Sequence, residues 1–200
     1  MTQRETPHTP QDEGLLQKAS ALARERLADR RYAHTLRVAD TAERLARLHG
    51  TDPFRTRLAA LLHDAAREVG VDEALGIAKR WGVSVGEPER ESPKLLHGPI
   101  AAEWARQELG VGDEEVLEAV RVHTVAAPEM GPIALVVYVA DKIEPARDYP
   151  SADHLRELAQ RDLRSAAAET LRRVRAHNDA RGRSTHPSSL AALEWLEKIR

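Results

Sequence analysis

The segment LLHDAAR, from Leu61 to Arg67, places a histidine beside an aspartate in a stretch that is otherwise largely apolar. Its leucines and alanines have the spacing of a helix face that packs into a core. On a helix, the side chains of His63 and Asp64 point about 100° apart, so both can border one concave surface. Such a pair is commonly structural, a buried histidine next to a hydrogen-bonded acid. The pair alone therefore leaves a structural and a ligand-binding interpretation open.

The same helical periodicity continues on both sides of this segment. Apolar residues recur at three- and four-residue steps, and almost no stretch alternates as a β-strand does. Helices are predicted over 14–28, 32–49, 53–67, 72–82, 97–109, 113–124, 132–144, 151–180 and 188–200, with a break inside 151–180 left open. The sequence thus predicts an all-α, single-domain helical bundle over residues 13–200, preceded by a disordered tail over residues 1–12.

Composition limits the class of protein. Of the 200 residues 42% are hydrophobic, which is enough for one domain with a core. The net charge of −2 gives no reason to expect a nucleic-acid partner or a membrane-surface partner. The longest apolar run, 133–140, is too short to cross a bilayer, and the polar start does not resemble a signal peptide. We therefore expect a cytoplasmic protein, and the lack of cysteine excludes thiolate metal sites.

Two more polar residues lie on predicted core faces. His34 shares a helix face with Val38, which directs it inward. Asp141 follows the apolar run 133–140, a position that would bury its carboxylate. An unpaired buried carboxylate is very costly, so a positive group is expected nearby. Lys142 is a poor candidate, because its side chain leaves the helix in a different direction.

Two further histidines complete a constellation. His97 begins a predicted helix, and His123 lies at the end of another. With the residues above they make four histidines and two aspartates from at least five helices, a group that mutual hydrogen bonds alone would hardly satisfy. Metal ions satisfy such a group, because neutral imidazoles offer nitrogen lone pairs and a carboxylate such as Asp64 can bridge two cations.

This arrangement resembles the HD-domain metal-dependent phosphohydrolases. The order of His34, His63-Asp64 and Asp141 matches their signature, and the two intervening histidines match the members that hold two metals. Within that family, the chain is similar to the YqeK-type symmetrical diadenosine tetraphosphate hydrolases over roughly residues 14–200. The segments that carry this similarity are RYAHTLRVADTAERLA (31–46), LAALLHDAAR (58–67), LLHGPIAAEWA (95–105), VRVHT (120–124), VYVADKIEPARDYP (137–150) and GRSTHP (182–187).

The resemblance implies an HD-type bundle that holds two transition-metal ions. His34, His63 and Asp141 would serve one ion, His97 and His123 the other, and Asp64 would bridge both. Iron is the metal that the family favours, with manganese, cobalt and zinc as alternatives that nitrogen ligands also suit. A hydroxide between the ions would attack an inner phosphorus of diadenosine tetraphosphate and release two molecules of ADP.

The resemblance also suggests substrate contacts. Arg67 and Arg147 are the candidate catalytic and phosphate-binding cations, because a guanidinium can hold phosphate oxygens with two hydrogen bonds. Asp148 and His186 belong to segments that the family places near the nucleotide. Two departures stand out: Arg67 occupies a position where the family commonly has lysine, and the segment after His123 lacks the glycine that often follows its His-Thr pair.

Several alternatives stay open at this stage. The same site could hydrolyse another nucleotide, such as a nucleoside monophosphate or a cyclic dinucleotide, or the chain could be a nucleotide-binding sensor without turnover. Glu144, one turn after Asp141, could support the site or cap local structure. The arginine-rich region 156–183 is expected to be a solvated helix face, with a phosphate contact as the alternative. A homodimer is also left open.

Overall fold

The computed structural model describes residues 9–198 and confirms the all-α prediction. In this range eleven α-helices and one 3₁₀ turn are formed, and no strand is present. The helices are α1 (Pro10–Arg26), α2 (Asp29–His49), α3 (Pro53–Leu62), α4 (Val71–Trp81), α5 (Glu87–Glu91), α6 (His97–Leu109), α7 (Glu114–Val122), α8 (Pro132–Ile143), α9 (Ala152–Arg161), α10 (Leu163–Asp179) and α11 (Pro187–Lys198), and the 3₁₀ turn is Pro93–Leu96.

The first helix begins earlier than predicted. Helix α1 begins at Pro10, inside the segment predicted as a tail over 1–12, because Thr9 and Asp12 form a capping box around its first turn. Proline suits this first position, since it has no N–H to satisfy. The tail predicted over 1–12 therefore does not reach residue 12, and its residues 1–8 lie outside the described residues.

The long predicted helix over 151–180 is broken at Asp162. The backbone of Asp162 is extended, with φ −151° and ψ 102°, and its side chain accepts a hydrogen bond from the Ser165 N–H. Aspartate commonly caps helix N-termini in this way. The predicted helix is therefore two separate helices, α9 and α10, and Arg156 lies on α9.

Helix α3 ends at Leu62, five residues before the predicted end at Arg67. The segment 63–69 continues in tight turns, in which the N–H groups of Ala65, Arg67 and Val69 bond to carbonyls three residues earlier. The Nδ1 of His63 binds the carbonyl of Ala60 at 2.7 Å, which occupies an acceptor of the last helical turn. His63 and Asp64 therefore lie just after a helix rather than inside it.

Helix α8 forms the centre of the bundle. Every residue from Ile133 to Asp141 is buried, so α8 is apolar on all sides until it reaches that aspartate. It packs against α2, α7 and α10, while α3 packs against α1, α2 and α7. The polar ends of α3, α7 and α8 thereby meet the first half of α2, near His34, inside the core. None of the described helices is both long and apolar enough to traverse a lipid bilayer.

Candidate metal centre

All six residues that the sequence predicted as metal ligands converge in one buried cluster. Their side chains come from α2, the turn after α3, the start of α6, the end of α7 and α8. The exposed fractions of the six residues are small: His34 6%, His63 0%, Asp64 4%, His97 4%, His123 2% and Asp141 6%. Two groups have ligand atoms within 4.8 Å of one another, His34-His63-Asp141 and His63-Asp64-His123.

Asp64 lies between two sets of histidines. Its Oδ2 is 3.6 Å from Nε2 of His63 and 3.8 Å from Nε2 of His34. Its Oδ1 is 3.3 Å from Nε2 of His97 and 3.7 Å from Nε2 of His123. Because each oxygen faces a different pair of rings, one carboxylate can serve two cations, as the bridging hypothesis requires.

Three of the histidines are oriented by the same kind of local hydrogen bond. The Nδ1 of each ring lies close to the carbonyl three residues earlier, at 2.7 Å for His63, 2.6 Å for His97 and 2.8 Å for His123. A carbonyl only accepts, so each Nδ1 must carry the proton and donate it. A neutral ring with its proton on Nδ1 has a free lone pair on Nε2, and each Nε2 points into the cluster.

His34 is oriented by a carboxylate instead. Its Nδ1 lies 3.1 Å from Oε1 of Glu144, which is itself only 2% exposed. The other oxygen of Glu144 accepts from Nε of Arg37 at 2.7 Å and from the Ala146 N–H at 2.8 Å. Glu144 therefore contacts a clustered histidine and also caps the segment after α8, so its contacts agree with both interpretations of this residue.

These side chains fit a cation. Among the described residues, the buried Nε2 atoms of His34 and His63 have no hydrogen-bond partner. The Nε2 atoms of His97 and His123 face each other at 3.0 Å, although both rings use Nδ1 as the donor. Lone pairs that converge in this way suit a divalent metal, and the nitrogen-rich set favours a transition metal over magnesium.

Burial keeps His63 and His123 in the neutral form that binds metal. Desolvation lowers the pKa of His63, and it lowers the pKa of His123 to about 4, although neighbouring Asp64 opposes both shifts. Burial would raise the pKa of Asp64, but the neighbouring histidines, His63 foremost, hold it below its ordinary value. At neutral pH the neutral rings of His63 and His123 thus lie beside an ionised Asp64 carboxylate.

A glycine allows the second histidine pair to meet. A Cβ at Gly98 would lie 2.7 Å from the carbonyl oxygen of Arg121 and 3.1 Å from that of Val120. The first turn of α6 therefore packs directly on the end of the α7 backbone, which only glycine permits. This contact brings His97 next to His123, and sequence reasoning did not identify it.

The environment of Asp141 corrects one prediction. Lys142, judged a poor partner, lies with its Nζ 2.6 Å from Oδ2 of Asp141. Its flexible four-carbon stem lets it turn back, so the direction in which it leaves the helix does not decide its contacts. Arg147 binds the other oxygen at 2.6 Å and also donates to the Asp141 carbonyl. Burial would raise the pKa of Asp141, but the positive charges of Lys142 and Arg147 lower it.

The predicted substrate residues take different positions. Arg67 is half-buried, with Nη1 3.3 Å from Nδ1 of His97. Arg147 borders the cluster through Asp141, whereas Asp148 is exposed. His186 is half-buried and lies 3.0 Å from Oε1 of Glu89, two residues before Ser188, whose hydroxyl donates to the Ala126 carbonyl. The segment of His186 thus packs on the loop after His123.

Sequence reasoning missed a cluster of arginines on α2. A cavity of about 510 Å³ beside His34 is lined by Arg30, Arg31, Arg37 and Arg147 together with Glu68 and Glu144. Arg31 also donates to Oδ2 of Asp64 at 3.1 Å. The signal was present, because Arg30, His34 and Arg37 have the four- and three-residue spacing of one helix face.

Comparison with known families agrees with this geometry. A model of the HD domain matches residues 31–146, a range that contains all six clustered residues. The chain belongs to the HD-domain family. The resemblance in motif order implied this membership, and the match confirms it.

Similar proteins cover nearly the whole length of this HD-domain chain. It is 33% identical over 180 residues to the "Bis(5'-nucleosyl)-tetraphosphatase, symmetrical" of Bacillus subtilis, spanning 90% of this chain and 96% of that protein. It is 35% identical to a protein of the same name from Staphylococcus aureus, over 72% of this chain and 74% of that one. A crystal structure from Clostridium acetobutylicum, described as a predicted HD superfamily hydrolase involved in NAD metabolism, superposes with a TM-score of 0.89 at 30% identity, covering 92% and 97% of the two chains.

Proposed function

We propose that this HD-domain protein hydrolyses diadenosine tetraphosphate, and related dinucleoside tetraphosphates, symmetrically to two nucleoside diphosphates. The observation that carries the proposal is the position of Asp64, whose two oxygens face separate histidine pairs in a buried cluster next to a cavity lined by arginines. The names of the relatives from Bacillus subtilis and Staphylococcus aureus support the choice of substrate.

The proposed cofactor is a pair of transition-metal ions, with iron as the favoured metal. The residues that would hold the pair are His34, His63, Asp64, His97, His123 and Asp141. When bound, the ions would supply a nucleophilic water near neutral pH and offset negative charge on the phosphoryl oxygens. The fixed tautomers of His63, His97 and His123 support this assignment, because a proton held on Nδ1 leaves the lone pair of each Nε2 free to bind a metal.

The arginines near the cluster would bind the phosphate chain. Arg30, Arg31, Arg37 and Arg147 outnumber the two glutamates that line the same cavity, so the cavity favours a polyanion. Arg67 lies beside His97, away from these four. A phosphate chain laid across the cluster would thus meet cations at both ends, which holds its central bond over the reacting site.

Asp148 and His186 would contact the nucleoside parts of the substrate. His186 contacts Glu89, and its neighbour Ser188 contacts the loop that follows His123, so its segment adjoins an element that carries a proposed ligand. Asp148 follows Arg147 and is exposed, which leaves it available to a ribose or a base. Both roles would appear as changes in KM and in base preference rather than in metal content.

The test compares substrates on protein loaded with a defined metal. We expect diadenosine tetraphosphate to give a higher kcat/KM than a nucleoside monophosphate or a cyclic dinucleotide. Arg30→Ala should raise KM for the tetraphosphate, and Arg44→Ala, on the same helix but lining a different cavity, should not. A higher kcat/KM for the nucleoside monophosphate or the cyclic dinucleotide would show that the proposed substrate is wrong. Tight binding of the tetraphosphate without cleavage would indicate a sensor.

The metal requirement is tested separately. Wild-type protein should bind close to two ions per chain, and Asp64→Ala should lose both, because its carboxylate faces both histidine pairs. His123→Ala should lose one. Full metal content in Asp64→Ala, measured by elemental analysis, would contradict the bridging role.

A further inference from the structure

The segment 143–147, which begins at the last residue of α8, carries two residues that contact side chains of the metal centre. We call this segment the strap. Its Glu144 contacts Nδ1 of His34, and its Arg147 binds a carboxylate oxygen of Asp141. Within the strap, the Arg147 N–H donates to the Glu144 carbonyl and the Ala146 N–H donates to the Glu144 carboxylate. Its conformation therefore depends on support from elsewhere.

That support comes from Arg156 on α9. Its Nε donates to the carbonyl of Ile143 at 2.9 Å, and its Nη2 donates to the carbonyls of Glu144 at 3.1 Å and Arg147 at 2.6 Å. The guanidinium thus binds both ends of the strap. Only its Nη1 points elsewhere, to Asp153 at 2.6 Å. Region 156–183 was expected to be a solvated helix face, but the Arg156 side chain is only 28% exposed, because its guanidinium lies against the strap.

We propose that Arg156 is a positioning residue that fixes the strap, and through it the orientation of His34 and the partner of Asp141. The converging carbonyls place several negative dipole ends close together, an arrangement that is unfavourable without a cation between them. A planar guanidinium with five N–H donors can bind several converging carbonyls at once, whereas the ammonium of lysine is a single point of charge. Loss of Arg156 would let the strap open and release Glu144 from His34.

The effect on the metal centre follows from this chain of contacts. Glu144 keeps the proton of His34 on Nδ1, which leaves Nε2 for the cluster. Residues that orient a metal-binding histidine typically change metal affinity by about 10- to 100-fold. The consequence for turnover rests on the proposed function, whereas the consequences for strap mobility and metal affinity do not.

The test compares Arg156→Ala with two controls on the same helix. Asp153→Ala removes the ion pair of Arg156 but leaves the carbonyl contacts, and Arg161→Ala removes an exposed arginine whose partner is Glu157. Hydrogen exchange of the peptide that contains the strap should become faster in Arg156→Ala and stay unchanged in both controls. Titration with Mn²⁺ should show one of the two ions bound about tenfold more weakly in Arg156→Ala alone.

Two additional measurements separate positioning from general destabilisation. Arg156→Lys should give an intermediate exchange rate, because lysine keeps the charge but not the forked geometry. Millimolar guanidinium chloride should partly restore Mn²⁺ affinity in Arg156→Ala, since Arg156 borders a cavity of about 850 Å³ that the ion can enter, and sodium chloride should not. Unchanged strap exchange and Mn²⁺ affinity in Arg156→Ala, or the same changes in Asp153→Ala, would overturn the proposal. If Arg156→Ala does not fold, wild-type values in Arg156→Lys would overturn it.

Discussion

The Nε2 atoms of His97 and His123 lie 3.0 Å apart, each at the tip of a ring whose Nδ1 is committed to a backbone carbonyl. The hydroxyl of Thr124 lies 3.1 Å from both nitrogens, but it has one proton and can donate to only one of them. Two neutral rings so placed repel each other through their lone pairs. A shared cation would turn this repulsion into attraction, so the arrangement of the pair supports the proposed second half of the metal centre.

Gly98→Ala should disrupt this pair without touching a ligand. The new methyl group would meet the backbone carbonyls of Val120 and Arg121, so α6 must move away from α7. Overpacking of this kind costs about 1–3 kcal/mol of unfolding free energy. We expect the bound metal to fall towards one ion per chain, as measured by elemental analysis.

The matched control for that substitution is Gly76→Ala. Gly76 lies within α4, and a Cβ there meets no atom within 4 Å. Alanine should stabilise this helix by about 0.5–1 kcal/mol and leave the metal content unchanged. A full complement of two ions in Gly98→Ala would show that the close packing of α6 on α7 does not set the second site.

Acid should destabilise the metal-free protein between about pH 6.5 and pH 4. The pKa of His123 is lowered to about 4 in the folded chain, and that of His63 is also lowered, while both return to about 6.5 on unfolding. Between these values the unfolded chain binds more protons, so stability is fully present above pH 6.5 and falls as the pH drops. The loss from His123 is on the order of 3 kcal/mol.

Urea unfolding in the presence of a chelator measures this effect. The free energy of unfolding should fall from pH 7 to pH 4.5 more steeply in wild type than in His123→Gln, which cannot take up the proton. Asp64 and Asp141 act in the same direction, but their lowered pKa values place their contribution at more acidic pH. Parallel curves for the two proteins would contradict the burial effect.

Arg67→Ala should impair substrate binding while sparing the metal. Arg67 contacts the Nδ1 side of His97, the side away from the cluster, and it is half-buried rather than enclosed. We expect a several-fold to hundredfold rise in KM for diadenosine tetraphosphate, with two ions still bound. Arg67→Lys, which restores the residue that the family commonly has here, should recover much of the loss. A drop in metal content equal to the drop in kcat/KM would assign Arg67 to the metal centre instead.

Glu129→Gly should stabilise the fold. Glu129 adopts φ 58° and is exposed, and Ala126 in the same loop adopts φ 62°. The left-handed region costs an ordinary residue about 1 kcal/mol, which glycine avoids. Thermal unfolding should shift upward in Glu129→Gly but not in Glu129→Ala, which keeps its Cβ; equal shifts would show that the backbone there is not strained.

This loop also shows what the sequence could predict. The missing glycine after the His-Thr pair was visible as a departure, and the structure places Ala126 and Glu129 in the conformation that glycine tolerates best. The helices, the burial of His34 and Asp141 and the convergence of the six residues all followed from periodicity and motif order. These features depend on spacing along the chain, which the sequence shows directly.

Other features depend on contacts between separate segments, and the hydrophobic periodicity of the sequence does not predict which segments come into contact. Arg156 on α9 binds carbonyls of residues that lie 9 to 13 positions earlier in the chain. Gly98 is required at its position because the backbone of α7 packs against it. Lys142 reaches Asp141 through side-chain flexibility that a helix-face argument ignores. The end of α3 at Leu62 was missed because the His63 side chain competes for a backbone carbonyl.

The products released from diadenosine tetraphosphate test the central claim most directly. Metal-loaded wild-type protein is mixed with the substrate, and the earliest products are separated by ion-exchange chromatography. A phosphate chain held at both ends by cations, with its centre over Asp64, should yield ADP as the only nucleotide product, whatever the rate of turnover. Equal amounts of AMP and ATP would contradict this account, because they would place the cleaved bond off the centre of the chain.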